Sequence, residues 1–163
     1  MKRILIFGLF MVATVTVPTA QSIINAGARA LPFDLARVAA AQAALVREPE
    51  NRTYALRLAD LLEVILESPE EALGVLRGML ARDPRDPEAL RAFEGVFTRS
   101  GLDRTERAGE LIPVLEELGE IASDAWQRRA YEHRIGGILE HSLARPEDAV
   151  ARYGRVLRED ATH

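Results

Sequence analysis

The chain has 163 residues, 48% hydrophobic and 28% charged, with a formal charge of −4 and no cysteine. That is the size and balance of one globular domain, and the missing cysteine removes disulfides, thiolate metal ligands, a cysteine nucleophile and a lipid-modified N-terminal cysteine. The acidic balance argues against a general nucleic-acid binder, because no basic excess exists to release counterions. Ala, Leu, Glu and Arg dominate while aromatics stand at 6%, a mix that fits closely packed helices and disfavours a β-sandwich.

The N-terminus opens with Lys2-Arg3, followed by an apolar run from Ile4 to Val17 and then Pro18. No further charge appears before Arg29. A basic start, an apolar core and a small-residue region form a secretory signal. Ala26-Gly27-Ala28 supplies a small-x-small cleavage site, with Ala20 as a weaker alternative. An uncleaved signal-anchor is the competing reading, since Ile4 to about Ile24 is just long enough to span a bilayer. Both readings keep the positive charges inside and export the remainder, into the periplasm in a bacterium. Residues 1–28 are therefore expected to be a signal peptide or signal-anchor and residues 29–163 the folded part. Loss of residues 1–28 removes two positive charges from −4 and leaves about −6.

The exported part reads as a series of helices. Asp34 to Arg47 is an alanine-rich helix with Leu35, Val38, Leu45 and Val46 as its larger apolar residues, ending at Glu48-Pro49. Thr53 to Leu66 follows, with Leu58, Leu61, Leu62 and Ile65 on one face. Ser68-Pro69-Glu70-Glu71 then carries an N-cap residue, a proline at the first helical position and two carboxylates at the positive end of the dipole. That helix places Ala72, Val75, Leu76, Met79 and Leu80 at helical spacing and stops at Asp83-Pro84. Pro87 to Arg99 repeats the opening chemistry after Asp86 and closes at Ser100-Gly101. Asp103 or Thr105 caps the next helix, which contains Pro113 and is expected to kink at about residues 109–113 and to end at Gly119. Ser123-Asp124 caps a long helix from Ala125 to Leu143, and Pro146-Glu147-Asp148-Ala149 starts the last one.

The series is periodic. Leu45-Val46-Arg47-Glu48-Pro49 matches Leu80-Ala81-Arg82-Asp83-Pro84 at a shift of 35 residues, the mark of stacked helical hairpins. Ala72 and Ala149 lie 77 apart, two periods plus seven. Seven residues are two helical turns that nearly preserve a buried face, and the long Ala125–Leu143 helix is the expected place for them. The fold class is all-α: a lone helix and three helical hairpins, about 3.5 repeats, stacked as an α-solenoid.

The hairpins resemble tetratricopeptide (TPR) repeats, best at residues 136–157, GGILEHSLARPEDAVARYGRVL. The resemblance implies that Gly137 lets Ala149 approach closely, that Tyr153 is the aromatic four residues later, and that Pro49 and Pro84 end units. Asp60 and Glu94 depart from the small residue the pattern expects, Leu76 from the aromatic, and Ala161 from the closing proline. It also implies a concave surface lined by the first helices of the hairpins. Arg57, Arg91 and Arg134 would form a ladder on that surface, with Tyr54 and Tyr131 one turn before two of them. Guanidinium groups in a groove hold carboxylates by paired hydrogen bonds, and the tyrosines add flat apolar contact. A peptide C-terminus or acidic side chains are the ligands this arrangement fits, although the asparagines of the family's peptide clamps are missing.

The catalytic inventory is poor. His133 and His141 are eight residues apart and do not converge as a histidine pair four apart would. The serines sit mostly at caps and turns, outside any nucleophile elbow. Gly136-Gly137 lacks the further glycine of a phosphate-cradling loop and reads as a packing pair. No catalytic residue, cofactor or metal ligand is expected. The expected function is a non-catalytic protein-interaction scaffold in the bacterial envelope. The resemblance places it in a secretion, envelope-assembly or cytochrome-maturation complex. The alternative is a structural spacer or self-associating module, favoured by Tyr153, Val156 and Leu157 on a final helix that no repeat follows.

Overall fold

A computed structural model describes residues 32–160, so the segment expected to be a signal peptide or signal-anchor, residues 1–28, lies outside the described residues. Seven α-helices run in order: α1 (Pro32–Arg47), α2 (Arg52–Val64), α3 (Pro69–Arg82), α4 (Pro87–Arg99), α5 (Ile112–Ile121), α6 (Ala125–Gly137) and α7 (Pro146–Asp160). Two short 3-10 segments, Leu102–Arg104 and Glu106–Leu111, join α4 to α5, and a π-helical turn, Ile138–Ser142, extends α6. No strand occurs among the described residues, and none of their helices is long and apolar enough to cross a membrane.

Each helix packs chiefly on the next in the chain, and α2 also touches α4. This order is consistent with an all-α helical repeat. One hydrophobic core runs the length of the stack, from Val38 in α1 to Ala149 in α7. Leu58, Leu62, Leu73, Leu76, Leu111, Leu115 and Ile135 are among its fully buried side chains. Each such burial stabilises by about 2 kcal/mol.

The caps set the register. Asn51, Asp86 and Asp124 hold extended or near-extended backbone before α2, α4 and α6, and each side chain accepts a backbone N–H of the first turn. Asp86 is the one among them that is buried. Its carboxylate also receives Arg52 Nε at 2.7 Å, so the cap of one first helix is tied to the start of the previous one.

Ser68 does not act as a side-chain cap. The hydroxyl instead donates to the Leu66 carbonyl at 3.1 Å, because the backbone at this point is still completing α2. Glu67 lies in the left-handed region, φ 50°, and the Ser68 N–H reaches back to the Leu62 carbonyl. This bond reaches six residues back, one more than the 6→1 bond of a Schellman C-terminus, and closes the helix in a widened Schellman-like turn. The same device recurs 77 residues later, with Ala144 at φ 51° and Arg145 N–H on the Leu139 carbonyl. The hairpins α2–α3 and α6–α7 therefore reverse the chain in the same way.

Three boundaries differ from the sequence reading. Pro113 produces no kink within a helix: the 3-10 segment ends at Leu111, and α5 begins with the proline in its first turn, where its missing N–H costs nothing. Gly119 does not end α5, which runs to Ile121. A Cβ on Gly119 would lie 3.9 Å from Tyr131 Cβ, an ordinary contact, so the position lies against α6 without requiring glycine. The long helix is not α-helical to Leu143. Its last turn widens, with Leu143 N–H bonded to the Ile138 carbonyl.

The seven extra residues are accordingly divided. The start of α6 lies 21 residues before that of α7, against 17 from α2 to α3, so α6 with its π turn is longer by four. The start of α4 lies 38 residues before that of α6, against 35 from α2 to α4, and the Leu102–Arg104 turn takes up the other three.

The hinge of close packing is also shifted by one residue. A Cβ on Gly136 would lie 2.4 Å from the Tyr153 ring, whereas a Cβ on Gly137 would meet nothing within 4 Å. Gly136, not Gly137, is the obligatory small residue, and the group it admits is Tyr153 rather than Ala149. Counting back from the shared Schellman-like turn, its equivalent in α2 is Ala59, which is buried. The expected departure at Asp60 thus disappears.

Candidate functional site

The sequence places a row of arginines on the first helices, and the caps show how they stand. Arg57 lies six residues after Asn51, Arg91 five after Asp86 and Arg134 ten after Asp124. Arg57 pairs with Asp60 of its own helix at 3.7 Å, both exposed. Tyr54 is half-buried against the core. These two stay on α2.

Arg91, Tyr131 and Arg134 come together between α4 and α6, with Glu94 among them. Arg134 is half-buried, bonds the Glu94 carboxylate and donates to Thr98 Oγ1 at 2.6 Å. Asp103 lies 4.0 Å away on its far side. Burial pushes the Tyr131 phenol above its ordinary range; Glu94 adds to the shift, while Arg91 and Arg134 oppose it. Arg91 is exposed and has no carboxylate partner among the described residues. The cluster therefore offers one available guanidinium beside a phenol, next to a second guanidinium whose charge Glu94 already balances. It can accept one carboxylate in two hydrogen bonds and support an apolar group against the tyrosine.

Glu94 escaped the sequence reading, yet a signal for it exists. Arginines and carboxylates 32 to 40 residues apart repeatedly bridge neighbouring units: Arg52 with Asp86, Arg77 with Glu110, Arg85 with Glu117, Arg99 with Glu63, Arg107 with Glu70, Arg134 with Glu94 and Arg152 with Glu116. Opposite charges recurring near the repeat period are the trace. Arg99 is bidentate, at 2.6 and 2.7 Å. Arg107, with help from Arg77, holds the Glu110 carboxyl below the usual carboxylate range. Seven arginines thus tie neighbouring units together, whereas Arg91 holds no carboxylate among the described residues and stands beside Tyr131.

His133 stacks obliquely on Tyr153, with centroids 5.4 Å apart, and His141 lies 3.7 Å from Glu140. Among the described residues no group of three or more histidines and carboxylates is placed to hold a metal ion.

No protein-family model, no curated protein and no solved structure matches the chain.

Proposed function

We propose that this protein is a non-catalytic TPR-type scaffold of the bacterial envelope, which binds a protein or peptide partner on the face formed by its first helices. The observation that carries this reading is Arg91, an exposed guanidinium beside Tyr131 and next to an Arg134 whose charge Glu94 balances. Tyr54, Arg57 and Arg134 extend the surface. The partner presents acidic side chains or a C-terminal carboxylate, and no nucleic acid is involved. The N-terminal segment supports export to the periplasm, with the chain released or held at the inner membrane. Work in a secretion, envelope-assembly or cytochrome-maturation complex follows from the TPR resemblance.

The test is affinity capture by the full-length chain from detergent-solubilised membranes, with partner identification. Arg91→Glu is expected to lose the partner that the native chain retains, and Arg57→Glu to weaken it less. Undiminished capture by Arg91→Glu, with a native helical spectrum, overturns the reading. A second reading, self-association through α7, is favoured by Val150 and Leu157, which are 69% and 68% exposed.

A further inference from the structure

The outward face of α1 departs from the other first and last elements of the stack. Between residues 33 and 47 the exposed positions are Phe33, Ala36, Ala39, Ala40, Ala43, Val46 and Arg47, so six of the seven are apolar. The corresponding positions of α2 are Arg52, Thr53, Arg57, Asp60 and Val64. An edge helix normally turns its polar residues to water. Phe33 is 72% and Val46 64% exposed, so the face carries two large apolar groups as well as alanines.

The six residues are arranged symmetrically. Phe33 mirrors Val46, Ala36 mirrors Ala43, and Ala39 mirrors Ala40, about a point between residues 39 and 40. At about 100° per residue they fall within one arc of roughly 140°, with Ala36 and Ala43 at its centre. A face with this symmetry matches itself when two copies of the helix run antiparallel. Each Phe33 then lies against the other copy's Val46, and the central alanines allow close approach of the backbones.

We propose that α1 is an interface between two copies of this chain, related by a twofold axis near Ala39 and Ala40. An isologous contact requires a self-complementary patch of this kind. Charge complementarity supports the same orientation. Glu48 and Glu50 are exposed immediately after α1, and antiparallel packing carries them to the positive N-terminal end of the other α1. Six side chains along roughly 20 Å of helix bury less than the ~1,200 Å² of stable complexes. The dimer is therefore concentration-dependent.

The chain has no cysteine, so introduced thiols are unique. Full-length Ala36→Cys and Ala43→Cys chains are purified in mild detergent, their helical spectra compared with the native chain, and each oxidised alone and as a mixture. A disulfide-linked dimer is expected in the mixture and in neither chain alone. Ala40→Arg in both chains is expected to abolish the link and to keep the apparent mass, which otherwise doubles at high concentration, at that of a monomer. Equal linking by either chain alone overturns the antiparallel register. A doubled mass without the mixed link assigns the contact to another surface such as α7. A monomer whose thiols resist maleimide shows that residues before α1 cover the face, and a monomer with reactive thiols shows that no second copy does. Each of these three outcomes also overturns the proposal.

Discussion

Hairpins α2–α3 and α6–α7 use the same chain reversal and fill it differently. In each, a Schellman-like turn with a left-handed non-glycine residue leads into proline and two acidic residues. Seven residues after that proline the first hairpin has Leu76, fully buried, and the last has Tyr153, half-buried. Eight residues before the left-handed residue stands Ala59 in one register and Gly136, against the Tyr153 ring, in the other. The smaller residue accompanies the larger, so volume is conserved across the pair. The last hairpin also buries less of its first helix: Ile135 and Gly136 in α6, against Ala55, Leu58, Ala59, Leu61 and Leu62 in α2. Trp126, Gln127, Arg128, Ala130 and His133 of α6 are all exposed. A shared backbone signal fixes where the chain turns, while the side chains decide how much of each helix remains for a partner.

The largest expected effect comes from emptying the tighter hairpin. Leu76→Ala should destabilise by about 3 kcal/mol, through lost burial and the cavity left behind. Tyr153→Ala should cost clearly less, since water already reaches part of the ring. Denaturant titrations of both compare the hairpins directly, and equal losses would remove the distinction.

Asp86→Ala should cost about 2 kcal/mol, because it removes a buried cap and one of the two carboxylates that hold Arg52. Asn51→Ala and Asp124→Ala should each cost about 1 kcal/mol, as ordinary exposed caps do. Thermal unfolding of the three ranks them.

Gly136→Ala should destabilise by about 1–2 kcal/mol, because a rigid ring occupies the space for the new methyl. Adding Tyr153→Leu, which restores the combination of the first hairpin, should recover most of that loss. A double-mutant cycle measures the coupling, and strictly additive losses would break the proposed pairing.

Glu67→Gly and Ala144→Gly should each stabilise by up to about 1 kcal/mol, since glycine occupies the left-handed region without steric cost. The gain should appear in both hairpins alike.

The smallest effect is one of pH. Burial raises the Tyr153 phenol above its ordinary value of 10.0, and its hydrogen bond to Glu140 adds to the shift. A raised folded-state value means that the contribution is fully present below the ordinary tyrosine range. It is lost as pH climbs through the folded value. Tyr153→Phe should flatten that alkaline loss, read from stability measured between neutral and strongly alkaline pH.

The sequence made the helical order and most starts legible because proline, acidic first turns and cap residues act locally. Pro87 and Pro146 open α4 and α7 where their neighbours indicate. Ser68 misled because its role depends on a bond to Leu62, six residues back. The π turn was hidden because widening a helix by one bond leaves its composition unchanged. Periodicity locates repeats well, but side-chain register depends on every inserted residue being placed.

Hydrogen exchange of the full-length chain, with and without its captured partner, tests the central functional claim most directly. The expected result is slowed exchange in α4 around Arg91 and in α6 around Tyr131, lost in Arg91→Glu. Protection confined to α3, α5 and α7, or none anywhere, would contradict it.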